Sequence, residues 1–150
     1  MISHAVLLEV DLAGRPARLE LTAPEGLLTL HPSADGTQLH GNIVRSGGWG
    51  VKPLTLRWDP ECEIDVVGRP LAIAVGLHRR REQTPVGDTI EIGVIAIGPD
   101  LGLTTTMRRI RREGVGAWRI LPRVGFLETQ IEIDLDGLPA AGSNWPLEVD

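Results

Sequence analysis

Apolar and polar side chains alternate along the segment from residue 126 to residue 136. Odd positions from 127 to 135 hold apolar residues and one threonine, whereas even positions from 128 to 136 hold acidic or amide residues. A β-strand needs this period of two when one face meets a core and the other meets water. We therefore predict a strand in which Leu127, Ile131 and Leu135 face inward and Glu132 and Asp134 face solvent.

Comparable stretches recur along the chain, and no window of helical period accompanies them. Gly, Pro or Asp separates most of them, as expected of turns that reverse the chain. The predicted strands cover residues 5–11, 17–22, 26–31, 37–45, 54–59, 63–67, 71–80, 88–97, 101–112, 118–121 and 126–136. This spacing predicts an all-β protein, a single antiparallel β-barrel domain of about ten to eleven strands with an apolar interior.

Composition narrows the function classes. The 150 residues fit one domain, and 42% hydrophobic with 23% charged residues indicates neither disorder nor membrane embedding. The net charge of -5 disfavours nucleic acid as a partner. The single Cys62 indicates a reducing compartment, and residues 1–10 lack the pattern of a secretion signal. We therefore expect a cytoplasmic protein that does not insert into membranes.

Motifs for metal, nucleotide or nucleophile chemistry are missing from the sequence. The four histidines, His4, His31, His40 and His78, show no local metal-ligand spacing, so only a distant assembly could form a metal site. No serine has the Gly-x-Ser-x-Gly context of a nucleophile, and no glycine-rich loop completes a phosphate-binding motif. We therefore predict that the protein binds no metal ion and no cofactor. The sequence identifies no catalytic residues.

Charged residues form clusters at several points. Glu63 and Asp65 lie two residues apart in one predicted strand, and we expect both to face solvent because Ile64 and Val66 form the apolar face. Arginines cluster at residues 78–81 and 108–112. These clusters are either ordinary surface charge or an anion-binding rim for a carboxylate or phosphate on an otherwise apolar ligand.

The barrel interior is the candidate ligand site. Trp58, Met107 and Trp118 are large apolar side chains that could line a cavity, and core packing is the alternative role for each. Ile73 and Val75 share one face of the strand predicted at residues 71–80. We therefore include these five residues in the predicted ligand site.

Residues 63–80 resemble the central motif of a glycolipid-binding family, in which Ile-Asp-Leu precedes Thr-Pro and a later pair of arginines. Residues 133–138, followed by Asn144-Trp145-Pro146, resemble the Val-Asp-x-Asp-Gly-Leu segment that closes the family's sequences. The order and spacing of these segments agree over roughly the last ninety residues. The resemblance implies a curved β-barrel with an apolar interior.

The family motif adds two residues to the predicted site. Asp65, Pro70 and Arg79 match it, whereas the residues at positions 69, 72 and 73 replace polar positions, which favours a more hydrophobic and less sugar-like ligand. The resemblance also places His78 and Arg79 at the end of an apolar strand, where Arg79 would hold an anionic head group.

These observations predict a protein that binds an apolar or amphipathic small molecule, lipid-like or polyketide-like, in the barrel. The alternative is a cofactor-free cyclase that closes rings of a polyene or polyketide by a pericyclic reaction, since small β-barrel cyclases of bacterial polyketide pathways are similar in size and also lack catalytic motifs. Such an enzyme would act by holding a flexible chain in a reactive conformer. A structural barrel with a filled core is a third reading, and an exposed strand edge would permit a homodimer.

Overall fold

The computed structural model describes residues 5–48, 50–121 and 129–140, and its strands form two five-stranded sheets. Sheet A consists of β1 (Ala5–Val10), β2 (Pro16–Ala23), β3 (Gly26–Pro32), β4 (Gln38–Arg45) and β5 (Lys52–Arg57) in sequential order. Sheet B consists of β6 (Glu63–Val66), β7 (Thr89–Ile97), β8 (Leu103–Arg112), β9 (Ala117–Ile120) and β10 (Thr129–Glu132). Helix α1 (Leu71–Arg80) and a 3-10 turn (Arg81–Gln83) connect β6 to β7.

Sheet A is an antiparallel meander in which each strand pairs with the next one along the chain. Gly14 and Gly36 lie in its turns with φ of 79° and 72°, a left-handed conformation that glycine adopts without steric cost. The turn signals in the sequence therefore predicted these hairpins correctly. Only the strand boundaries differ by a few residues.

The inner face of sheet A packs against one face of sheet B to form the first core. Alternate side chains of the strands meet there, as the period of two requires. Buried members of this core include Leu19, Leu21, Leu28, Leu30, Leu39, Ile43, Trp58, Ile64, Val66, Ile95 and Ile97.

Helix α1 covers the opposite face of sheet B and forms the second core. Ile73, Ala74 and Leu77 of the helix pack there against apolar side chains of the sheet. The sheet residues are Ile92, Val94, Ile110, Trp118, Ile120, Ile131 and Ile133. Sheet B is therefore the middle of three layers, with an apolar core on each side.

Residues 71–80 form a helix, so the strand predicted for this segment is wrong. Large apolar residues alternate there with Ala or Gly, which imitates the period of a strand. The buried side instead includes Ile73, Gly76 and Leu77, which recur at helical spacing. Pro70 immediately precedes the helix, and its last turn is basic, which favours the partial negative charge of a helix C-terminus.

The predicted all-β class is confirmed at the coarse level, since most described residues lie in strands, but the structure does not support a closed barrel of ten or eleven strands. The described strands form two separate sheets, each with two edge strands. Furthermore, β6 pairs with β7 in parallel, a connection that needs a crossover element, here α1. Among the described residues, no helix has the length and apolar character needed to cross a membrane.

The predicted register of the C-terminal strand is confirmed for its middle and wrong at its end. Ile131 and Ile133 are buried, whereas Glu132 and Asp134 are exposed. Leu135 is 89% exposed because the strand ends at Glu132 and the chain turns at residues 134–138. The predicted inward position of residue 127 lies outside the described part of the chain.

We expect Ile131→Asp to lower the free energy of unfolding by several kcal/mol, because it places a charge without a partner in the second core. Leu135→Asp is the matched control, and we expect it to change stability by less than about 0.5 kcal/mol at this exposed position. Urea denaturation of both variants measures the difference. Equal losses of stability would contradict the described register.

Candidate functional site

An open groove of about 490 Å³ runs beside α1, between the helix, the β1–β2 hairpin and the turn at residues 134–138. We call it the α1 groove. Its lining residues are Leu8, Val10, Leu12, Ala13, Gly14, Leu71, Val75, His78, Arg79, Arg81, Glu82, Asp136 and Leu138. The lining is apolar along β1 and the start of the helix, and it is polar at the C-terminal end of the helix.

The helical period separates the groove face of α1 from its core face. Leu71, Val75 and His78 are spaced by four and three residues, so they share one side of the helix and line the groove. Ile73 and Leu77 lie on the side that packs against sheet B. A strand could not give this division, because it would put all the odd-numbered residues on one face.

His78 forms a wall of the groove by packing on the turn at residues 134–138. Gly137 has a φ of +84°, and a Cβ at this position would lie 2.7 Å from Cδ2 of the His78 ring, so a larger residue would displace the ring. A second cavity of about 190 Å³ lies on the other side of His78 and reaches Trp118. Burial lowers the pKa of His78, and the nearby charge of Arg81 acts in the same direction, which favours a neutral ring.

The two arginines of the groove have different roles. The aliphatic stem of Arg79 packs near Gly14, with Cγ 3.7 Å from the position of a Cβ, and its guanidinium pairs with Glu63. Arg81 donates a hydrogen bond of 2.7 Å from Nη1 to the carbonyl of His78, and its side chain is 41% exposed. Arg81 is thus the more accessible cation of the groove, although the family resemblance pointed to Arg79.

Glu63 is completely buried between β6 and α1. Its Oε1 accepts hydrogen bonds from Nη2 of Arg79 and, at 2.9 Å, from Nε of Arg80. Its Oε2 lies 2.0 Å from where a Cβ on Gly76 would be, so only glycine leaves room for the carboxylate there. The ion pair therefore fixes α1 on β6 and holds the Arg79 side chain along the groove.

The expectation that Glu63 and Asp65 face solvent is wrong. All four residues of β6 are buried, because sheet A covers one face of this strand and α1 packs over the other. An alternating pattern normally marks a strand with one face in contact with solvent, whereas neither face of β6 is in contact with solvent. The acidic residues of this strand are consequently interior groups.

Two opposing effects act on the pKa of the Glu63 carboxyl group. Burial raises the pKa of Glu63, while the positive charges of Arg79 and Arg80 oppose this shift. Among the described residues, no hydrogen-bond donor reaches Oε2. The carboxylate faces the helix rather than the open groove, so its role is to position the arginines.

Cys62 does not have the surroundings of a nucleophile. It is half-buried, and its burial raises the pKa of the thiol, which lowers the fraction of reactive thiolate. Within the described segments, no group of three His, Cys, Asp or Glu side chains could hold a metal ion. Among the described residues, Cys62 therefore offers no activated thiolate and no set of three side chains offers a metal site.

The structure brings together three of the seven residues predicted as the ligand site. Val75, His78 and Arg79 line the α1 groove. The other four lie elsewhere. Trp58 belongs to the first core and Ile73 and Trp118 belong to the second, whereas Met107 is 49% exposed.

Sequence reasoning missed the groove residues from β1 and the turn after it, such as Leu8 and Leu12, and it noted Arg81 only as a member of a charged cluster without including it in the ligand site. Reading residues 71–82 with a helical period would have placed Leu71, Val75 and His78 on one face. The contribution of β1 to the groove wall arises from tertiary packing, and no local sequence pattern indicates it.

The fold has a counterpart among solved structures. The chain is similar to the crystal structure of a DUF1089 family protein from Pseudomonas aeruginosa, with 20% sequence identity and a TM-score of 0.63 over 97% of this chain and 91% of that one. At this identity the likeness concerns the fold alone. Neither a protein-family model nor a curated protein matches the sequence.

We expect Glu63→Ala to lower the free energy of unfolding by about 3 to 5 kcal/mol, because it leaves two largely buried guanidinium groups without their shared carboxylate. Glu61→Ala is the matched control. Its carboxylate is exposed and lies 3.6 Å from Arg15 and 4.0 Å from Arg80, so its loss should cost less than about 1 kcal/mol. Chemical denaturation compares the two, and equal small effects would contradict the structural role of Glu63.

Proposed function

We propose that the protein binds an amphipathic small molecule with an apolar chain in the α1 groove. The observation that carries this proposal is the division of the groove into an apolar half and a polar half. A volume of about 490 Å³ lies in the range of small-molecule sites. The open groove takes the place of the closed barrel cavity that the sequence predicts.

The apolar half offers the ligand a surface that water covers in the free protein. Val10, Leu12 and Leu138 are exposed large apolar side chains, and all three line the groove. Covering such side chains with a hydrocarbon chain is favourable by about 25 cal/mol per Å² of buried apolar surface. This term supplies affinity without specifying the ligand.

The polar half would orient the ligand. Arg81, Glu82 and Asp136 provide one cation and two carboxylates at the end of the groove. A head group that both donates and accepts hydrogen bonds can pair with these side chains, and a charged acceptor on it would be drawn to Arg81. The resemblance to a glycolipid-binding family agrees with an amphipathic ligand and stays a prediction.

The cyclase alternative also stays a prediction. Shape-driven ring closure needs a site that surrounds the substrate and excludes water. The α1 groove is open to solvent along its length, which favours binding over such chemistry. Incubation with linear polyenes or polyketides, followed by chromatography for isomeric products, tests this alternative separately.

The proposal is tested with a fluorescent fatty acid whose emission depends on the polarity of its surroundings. We expect the wild-type protein to bind it with a dissociation constant in the micromolar range, as an open and largely apolar site allows. Val75→Trp should weaken binding at least about tenfold, because the indole fills the middle of the groove. Val86→Trp is the matched control, since Val86 is exposed and does not line the groove.

Head-group recognition is measured with the Arg81→Gln variant. For a ligand with an anionic head, we expect this change to weaken binding by about 1.5 to 3 kcal/mol, the contribution of a hydrogen bond to a charged group. The same substitution should weaken the binding of an uncharged alkyl alcohol of equal chain length by much less. If neither Val75→Trp nor Arg81→Gln changes the affinity, the ligand does not bind in the α1 groove.

A further inference from the structure

Two histidines lie directly opposite each other on the outer face of sheet A. His31 of β3 pairs with His40 of β4 in the antiparallel register. Their neighbours Leu30 and Leu39 are buried in the first core, so the alternation of the strands directs both imidazoles outward. The sequence gives no sign of this pair, because nine positions separate its members and only the hairpin register brings them together.

The ring geometry suits two ligands of one metal ion. The ring centroids lie 6.1 Å apart, and the ring planes are inclined by 47°. A metal–nitrogen bond to histidine measures about 2.0 to 2.1 Å, so two rings on one ion are at most about 6.4 Å apart between centroids. The observed separation is within this limit, and rotation of the side chains can shorten it without movement of the backbone.

A third side chain orients one of the two rings. Nδ1 of His40 lies 3.3 Å from Oγ1 of Thr55, which faces it from the next strand, β5. Metal-binding histidines usually hold their second ring nitrogen in a hydrogen bond of this kind, which fixes the orientation of the ring. The Nε2 atom of His40 is then the nitrogen available to an ion.

We propose that His31 and His40 form a binding site for a divalent transition-metal ion, with Cu²⁺ bound most tightly. Imidazole nitrogen is a suitable ligand for copper, nickel and zinc, and the affinity of such sites follows the order in which Cu²⁺ exceeds Ni²⁺ and Zn²⁺. No set of three protein ligands occurs in the described part of the chain, so water completes the coordination. A site with only two protein ligands suits the tetragonal geometry of Cu²⁺ better than the closed tetrahedron of structural zinc.

This site is independent of the proposed ligand groove. It lies on the outer face of sheet A, and neither histidine lines the α1 groove. A bound ion would connect β3 to β4 through their side chains, and it would stabilise the folded protein by an amount that grows with the logarithm of the ion concentration above the dissociation constant. Failure of one proposal therefore leaves the other unaffected.

The test is titration of the protein with aqueous Cu²⁺ by isothermal calorimetry. The parent protein and every variant in this test carry His4→Gln, so that the imidazole of His4 cannot contribute to the measured binding. We expect one ion to bind per chain, with electron paramagnetic resonance showing coordination by two imidazole nitrogens. His31→Gln and His40→Gln should each weaken binding at least about tenfold, because each removes the second attachment point of the ion.

The matched control keeps the number of histidines constant. The double variant His31→Gln/Leu27→His moves one histidine along β3 to a half-exposed position opposite Val44, too far from His40 to share an ion. We expect it to bind Cu²⁺ as weakly as His31→Gln alone. The proposal would be overturned if this double variant bound Cu²⁺ with an affinity within about twofold of that of the parent protein. It would also be overturned if the electron paramagnetic resonance spectrum of the parent protein showed coordination by a single imidazole.

Discussion

Strand β7 of sheet B must be covered on both faces, and the arrangement of the other elements depends on this requirement. It carries Ile92 and Val94 on one face and Ile95 and Ile97 on the other, so neither face can remain in contact with water without a large loss of hydrophobic stabilisation. Sheet A covers one face and α1 covers the other. The parallel β6–β7 pair follows from the same requirement, because the crossover between two parallel strands places a helix over the sheet.

The buried Glu63 carboxylate is the polar exception within these layers, and it links the core to the groove. A charge at this depth is tolerated because two arginines from α1 share it and because Gly76 leaves space for it. The same contact takes the Arg79 guanidinium away from the groove and leaves only its stem there. Accordingly, the exposed cation of the groove comes from Arg81, just beyond the helix.

The sequence predicted the meander of sheet A well, because each hairpin has its own turn residues and one wet face. It failed where both faces are buried. In residues 71–80 the alternation of large and small residues fits a strand, and the helix is favoured by the need to cover sheet B, which is a tertiary effect. The groove could not be predicted either, because its walls come from segments that are distant along the chain, and the opposed histidines depend on the exact register of the β3–β4 hairpin.

The two sheets differ in the lengths of the loops that are closed when their strands pair. Every pairing in sheet A joins neighbouring strands through a short connection, so its loop-closure entropy is small. The pairing of β6 with β7 instead closes the whole crossover that contains α1. The α1 groove takes its walls from β1, from this crossover and from the turn at residues 134–138, so its shape is complete only when the most distant parts of the chain have met.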